Sequence, residues 1–390
     1  MADGLDNAST IVPKNGMGLY IHIPWCVQKC PYCDFNSHGL KSDLPEKEYV
    51  AHLLDDLAID AKRIGDRVVE TIFIGGGTPS LFSADAMADI LNGVKARVNL
   101  SDNAEITMEA NPGTVEAGKF AGFYQAGVNR ISVGIQSFQP KHLKVLGRIH
   151  NESQAENAVK QAHSAGLPTF NLDLMHGLPE QSVDNAMSDL KQGIALNPYH
   201  LSWYQLTIEP NTPFYSKPPE LPDDDILWEI QEQGHKLLEN AGYQQYEISG
   251  YAKAGHQCRH NLNYWRFGDY LGIGCGAHGK ITDAANGTIH RTVKVKHPRG
   301  YMEISRPYLD TQSQVEAGDL PFEFFMNRFR LVEPCPISDF SDFTGIAITD
   351  EVERALCDAQ HQGLLSISDT HWQVTAKGRR YLNSLLSCFV

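Results

Sequence analysis

Cys26, Cys30 and Cys33 make the strongest chemical statement in this chain, within the run Tyr20-Ile-His-Ile-Pro-Trp-Cys26-Val-Gln-Lys-Cys30-Pro-Tyr-Cys33-Asp-Phe. A compact [4Fe–4S] cluster normally takes four thiolates. The C-x3-C-x2-C spacing supplies three, and the neighbouring sequence offers no obvious fourth. A cluster held in this way keeps one iron with an open position, as a catalytic metal does when it must bind substrate directly. The competing assignments are a structural zinc site and three unrelated thiols. Zinc sites usually bring two paired ligand clusters of tighter spacing, and no second cysteine pair stands downstream.

Gly75-Gly-Gly77-Thr78-Pro79 is a second chemically suggestive run. Consecutive glycines let backbone approach a ligand closely and expose N–H and C=O groups to it. A tight strand-to-helix turn would use the same residues. Glu109-Ala-Asn111-Pro112, Gln136, Arg148 and Asp173 follow, most of them at the ends of strand-like segments. Singly, such residues are solvated, capping or ion-paired groups. Together they offer carboxylates for an ammonium and ribose hydroxyls, and a guanidinium for a carboxylate, the two signs a zwitterionic ligand requires.

His260-Asn-Leu-Asn-Tyr264-Trp265 joins an imidazole able to ligate heme iron to aromatics able to stack on a porphyrin face. On chemistry alone, the same residues equally serve to pin a loop and fill core. Cys258, His260, Cys275 and His278 have a spacing that matches no common zinc motif. Gly274-x-Gly276-x-x-Gly279 imitates a dinucleotide fingerprint outside any βαβ context and reads as a tight loop near the cofactor mouth. Cys335-Pro336 is a lone dipeptide of the heme-regulatory type. Cys357 and Cys388 are expected to be buried hydrophobes.

The elements that must position these residues alternate from Gly18 to about residue 240. Strand-like runs fall at Leu19–Ile23, Val68–Ile74, Glu105–Glu109, Arg130–Ile135, Thr169–Met175 and His200–Ile208. Helical faces lie between them. Val50, Leu53, Leu54, Leu57 and Ala61 form one, and Val183, Ala186, Met187, Leu190 and Ile194 another. Ser153 is the expected N-cap of a helix carrying Ala155, Ala158, Val159 and Ala162, closed by Gly166. This alternation predicts a parallel sheet with helices outside. Periodicity does not separate an open doubly wound sheet from a barrel. Chemical residues gathered at the carboxyl ends of several strands favour the barrel.

Residues 241–315 break the rhythm and read as an α+β extension lying against the barrel. Residues 316–390 read as a small winged-helix-like domain. It is expected to have helices around Phe324–Leu331 and Val352–Gln362, a hairpin at Leu364–Val374 and a last helix at Lys377–Leu386. Residues 1–17 are expected to be a flexible N-terminus. The chain has 390 residues, 42% hydrophobic and 21% charged, with a formal net charge of −14. No Lys/Arg-rich run marks a nucleic-acid or anionic-lipid footprint. No apolar stretch approaches the roughly 18 residues of a membrane span. Eight cysteines scattered without a secretory signal favour reduced thiols and a cytoplasmic location.

On these motifs the chain from Tyr20 to Val390 resembles the oxygen-independent coproporphyrinogen III dehydrogenase family, the HemN-like radical SAM proteins, and within it the heme-chaperone branch. The resemblance implies a partial TIM-like (β/α)6 radical SAM barrel. It implies a [4Fe–4S] cluster on Cys26, Cys30 and Cys33 whose open iron chelates S-adenosylmethionine (SAM). By the same resemblance Tyr20, Gly76, Gly77, Thr78, Glu109, Gln136, Arg148 and Asp173 line the SAM site, and His260 serves heme.

Two departures from the dehydrogenase move the reading toward the chaperone. Phe35 stands where that enzyme has a further cysteine, and only 25 residues precede Cys26. The implied partners are heme, a heme donor protein and apo-hemoproteins of the respiratory chain, with room for a cluster-dependent homodimer and peripheral membrane association. The rival activity is oxidative decarboxylation of coproporphyrinogen III to protoporphyrinogen IX. A third alternative is a cluster-bearing redox sensor with a winged-helix output, against which the basic-poor C-terminal segment argues where DNA is the target.

Overall fold

The computed structural model describes residues 11, 16–41, 43–114, 118–303 and 305–390, so the expected flexible N-terminus lies almost wholly outside the described residues. Six strands run parallel in sequence order. They are β1 (Met17–Ile23), β2 (Val68–Gly76), β3 (Asn99–Ala110), β4 (Arg130–Gln136), β5 (Thr169–His176) and β6 (His200–Gln205). Crossover helices connect them: α1 (Glu46–Asp60), α2 (Ala84–Lys95), α3 (Lys119–Ala126), α4 (Glu152–Ser164) and α5 (Val183–Ala195). The barrel is partial and does not close.

Strand periodicity explains which face of this sheet does what. Successive side chains point to opposite faces. In β1 Leu19, Ile21 and Ile23 take one register, as do Ile131, Val133 and Ile135 in β4 and Phe170, Leu172 and Leu174 in β5, and all are buried in the main core with α1–α5. The other register carries Tyr20 and His22, then Ser132 and Gln136, then Asn171 and Asp173. A parallel sheet packed on both faces normally reads as continuous apolar sequence. Here the inner face is polar, the mark of a lumen rather than a second packing layer.

Residues 241–315 do not form a separate layer against the barrel. Their strands are β7 (Gln244–Gln245), β8 (Gly250–Ala252), β9 (Tyr270–Ile273), β10 (His278–Asp283), β11 (Thr288–Lys294) and β12 (Leu309–Gln314). They continue the same 12-stranded sheet at both edges, in the order β12-β11-β10-β9-β1-β2-β3-β4-β5-β6-β8-β7. β9 pairs in parallel with β1, so a seventh strand extends the partial barrel. Edge pairing of this kind leaves no periodicity signal, because it depends on which strand is free rather than on local sequence.

Helix ends also depart from expectation. Asn151, not Ser153, caps α4: its side chain accepts from the Gln154 N–H at 3.0 Å, and Gln154 returns the bond to the Asn151 N–H. This reciprocal capping box satisfies two orphan donors at once. The C-terminal segment packs an aromatic core of Phe324, Phe325, Phe329, Phe340 and Trp372, which Phe267 and Ile289 of the preceding segment join. It holds the helices Leu320–Arg328 and Asp350–His361, an additional helix Ile337–Thr344, and a three-stranded sheet with the hairpin Leu365–Ile367 and His371–Val374. The expected last helix is two short ones, Ala376–Arg380 and Leu382–Leu386, broken at Tyr381. Cys357 is exposed and Cys388 half-buried, contrary to expectation. Cys357 lies off the inner stripe Val352, Leu356 and Ala359 of its helix.

Candidate cofactor cavity at the open end of the barrel

β1 delivers the chain to the cysteine loop. Trp25–Cys26 then pairs in parallel with His38–Gly39, closing the loop at its base. Two further backbone bonds tie the loop to the glycine run after β2: Gly77 N–H to the Ile23 carbonyl at 2.7 Å and Thr78 N–H to the Trp25 carbonyl at 2.7 Å. This docking is why glycine is needed. A Cβ on Gly77 would lie 2.5 Å from the Trp25 carbonyl oxygen, and Gly76 has φ +112°, a left-handed conformation that favours glycine. The two motifs are therefore one construction.

Cys26, Cys30 and Cys33 line a cavity of about 480 Å³ together with Gly76, Gly77 and Thr78. Glu109, Gln136, Arg148 and Asp173 line its opposite walls. Burial pushes the Cys26 and Cys33 thiols up, against opposing hydrogen bonds from Thr78 to Cys26 and from Ser37 to both. A buried neutral dithiol pair of this kind gains from a cation that stabilises its thiolates. Among the described residues no three His, Cys, Asp or Glu side chains converge on a single ion. In a [4Fe–4S] cluster each thiolate takes a different iron, and three cysteines lining one cavity fit that arrangement.

The charged groups opposite are held by strand-end geometry. Glu109 Oε2 accepts from the Gly76 N–H at 3.1 Å. Burial, with the Asp173 carboxylate as the next cause, pushes the Glu109 carboxyl up to about 8. Asp173 accepts from Ser132 Oγ at 2.8 Å and from Asn171 Nδ2 at 2.7 Å, and burial raises its carboxyl too. Arg148 donates to the Gly134 carbonyl at 2.5 Å and lies 3.7 Å from Cys30 Sγ. Gln136 has φ +70° and its Oε1 accepts from Tyr204 OH at 2.7 Å. Burial is the first cause of both shifts, and Arg130, which also lines the cavity, acts the other way on Asp173.

Ser132, Asn171, Ser202 and Tyr204 belong to this wall and were not singled out in the sequence. Their signal was available: each occupies the inner register of β4, β5 or β6, and cross-strand pairing sets Ser132 beside Asn171 and Asp173 beside Ser202. Tyr20 is adjacent rather than in the wall. Its hydroxyl meets His22 Nδ1 at 3.0 Å, while His22 Nε2 donates to the Asn36 carbonyl at 2.8 Å.

His260 stands apart from this cavity. It opens the helix α6 (Arg259–Trp265) and is fully buried. Its Nδ1 meets Thr71 Oγ1 at 2.8 Å and its Nε2 meets Tyr264 OH at 2.7 Å. Burial pushes the imidazole down to about 3. In this packing no nitrogen of His260 is free for iron. Gly274–Gly279 is a tight loop after β9 that leads into strand β10 rather than a helix, with Asn36 donating to the Cys275 carbonyl at 2.9 Å. Cys335 is buried in the C-terminal core.

Residues 20–190 match the Radical SAM superfamily and residues 315–381 the HemN C-terminal domain. Over 374 residues the chain is 61% identical to the heme chaperone HemW of Escherichia coli (strain K12), covering 96% of this chain and 98% of that protein. The chain belongs to the HemW family. The heme chaperone HemW of Haemophilus influenzae is 57% identical over 381 residues, covering 96% of this chain and 98% of its relative. Among solved structures, coproporphyrinogen III oxidase (HemN) from Escherichia coli, a radical SAM enzyme, superposes with a TM-score of 0.82 at 22% identity, over 98% of this chain and 92% of its own. That likeness is one of fold, and the radical SAM match implies a [4Fe–4S] cluster and SAM for this HemW-family chain. Among the described residues no helix is long and apolar enough to cross a membrane.

Proposed function

We propose that this chain is a heme chaperone that carries a [4Fe–4S] cluster on Cys26, Cys30 and Cys33, binds SAM in the adjoining cavity, and passes heme to apo-hemoproteins such as those of the respiratory chain. The observation that carries the reading is a HemW-family chain whose three loop cysteines line a cavity that also holds buried carboxyls and guanidinium groups, both signs that a zwitterion needs. Bound there, a cluster with one open iron would supply a Lewis-acid contact for an amino acid and a one-electron donor. The chain's own residues do the rest. Glu109 faces the ammonium and is returned to its ionised form by it. The glycine cradle presents backbone to the same end. Asp173, fixed by Ser132 and Asn171, faces ribose hydroxyls, and Arg148 faces the carboxylate.

The chain is expected to have no coproporphyrinogen dehydrogenase activity. Hemin titrated into the anaerobically reconstituted protein should give a saturable Soret change, and the loaded protein should restore an apo-hemoprotein. Incubation with coproporphyrinogen III, reductant and SAM should yield no protoporphyrinogen. Formation of protoporphyrinogen, or absence of hemin binding, overturns the reading.

A further inference from the structure

We propose that heme docks at the cysteine loop, with His38 Nδ1 as an axial ligand to its iron; the proposal rests on the chaperone reading above and gives that reading a site. His38 Nε2 lies 3.2 Å from the Lys296 carbonyl oxygen and 3.3 Å from Asn36 Oδ1. A carbonyl only accepts, so Nε2 carries the proton and Nδ1 carries the lone pair. Metal-ligating histidines are oriented in this way, by donating the other ring N–H to a carbonyl or carboxylate. Among the described residues nothing hydrogen-bonds His38 Nδ1, and the ring is half-buried rather than sealed. Its backbone is fixed independently, because His38 N–H donates to the Pro24 carbonyl at 2.7 Å.

The surroundings suit a porphyrin dianion. Phe35 on the same loop is 58% exposed, a large apolar ring at the surface. A single exposed aromatic is ordinary. This one stands three residues before His38 on the loop, at the rim of the cofactor cavity that it also lines, and aromatic faces stack on flat macrocycles. The His297 ring lies edge-on to His38 with centroids 5.4 Å apart, a second exposed imidazole at the patch. The chain is strongly acidic overall, yet cations gather here. Lys29 Nζ donates to the Phe35 carbonyl at 3.2 Å, and the Lys29 and His297 charges both bear on His38. Lys296, whose own carbonyl meets His38, lies just after β11 and is exposed. The Lys29 ammonium, an apolar ring and a free imidazole nitrogen match a propionate, a macrocycle and an iron.

The test is hemin titration of the anaerobically reconstituted full chain, read by Soret position and by affinity, with cluster iron measured in every variant. His38→Ala should move the Soret band and weaken hemin at least about tenfold, the loss of one metal–ligand bond. Lys29→Glu with Lys296→Glu should weaken hemin about tenfold while leaving the Soret position unchanged. His260→Gln should keep the wild-type Soret band. His38→Ala with wild-type spectrum, affinity and cluster content overturns the site and leaves the chaperone reading standing. Wild-type protein that takes up no hemin overturns both.

Discussion

At the carboxyl ends of the strands, Glu109 and Asp173 are buried beside one another in a cavity also lined by Arg130, Arg148 and Arg330, and burial still pushes both carboxyls up. At the other motif, His260 is buried just as deeply but has a partner on each nitrogen. Burial alone therefore does not mark a functional group. What separates the two regions is whether the protein itself completes the electrostatics. Around His260 it does, and the imidazole, Thr71 and Tyr264 form a closed set that holds α6 against β2. In the cavity it does not for Glu109, whose neighbours are the Gly76 N–H and the Asp173 carboxyl.

This contrast yields tests, the severest first. Cys26→Ala, Cys30→Ala or Cys33→Ala should each abolish cluster assembly, read as iron and sulfide content after anaerobic reconstitution; a full cluster in all three would remove the cavity from the comparison. His260→Ala should cost about 3 kcal/mol in urea unfolding, because it strands two buried hydroxyls. A variant that lost hemin but kept its stability would reverse the roles of the two regions. Glu109→Gln should weaken SAM about tenfold or more, on the order of 1.5–3 kcal/mol for a hydrogen bond to a charged group, with little change in stability.

Smaller effects sharpen the same contrast through pH. Glu109 sits near 8 in the fold and about 4.5 when unfolded, so its neutral form contributes stability that is present below the unfolded value and lost as pH rises through about 8. SAM binding at pH 7 should therefore release protons, seen as a calorimetric heat that depends on buffer ionisation enthalpy. His260 behaves oppositely. Held near 3, its neutral form contributes fully above the unfolded value of about 6.5 and that contribution is lost as pH falls from there toward 3. Acid unfolding of His260→Gln should be shallower than wild type between these limits.

Much of this was legible in one dimension. Five of the six parallel strands lie within three residues of the expected ends, and β3 starts six residues earlier than expected, at Asn99; apolar registers that pack under helices are local patterns. The cysteine spacing and the glycine run are local too, and chain order alone makes them neighbours once β1 and β2 pair. The wall formed by Ser132, Asn171 and Ser202 was readable only by asking which register each strand turns inward. Edge strands β7–β12 carried no such signal, since their place depends on where the partial barrel leaves unpaired backbone.

The residue types and their spacing determined that this chain can hold a three-thiolate cluster on an α/β scaffold with a separate C-terminal unit. Tertiary structure alone decided which imidazole has a lone pair to give. His260 and His38 are the same side chain, and nothing local distinguishes them as ligands. One is sealed between Thr71 and Tyr264, and the other is oriented by a carbonyl from residues far along the chain. A nitrogen's availability depends on partners brought from distant segments, and packing, not spacing, supplies those.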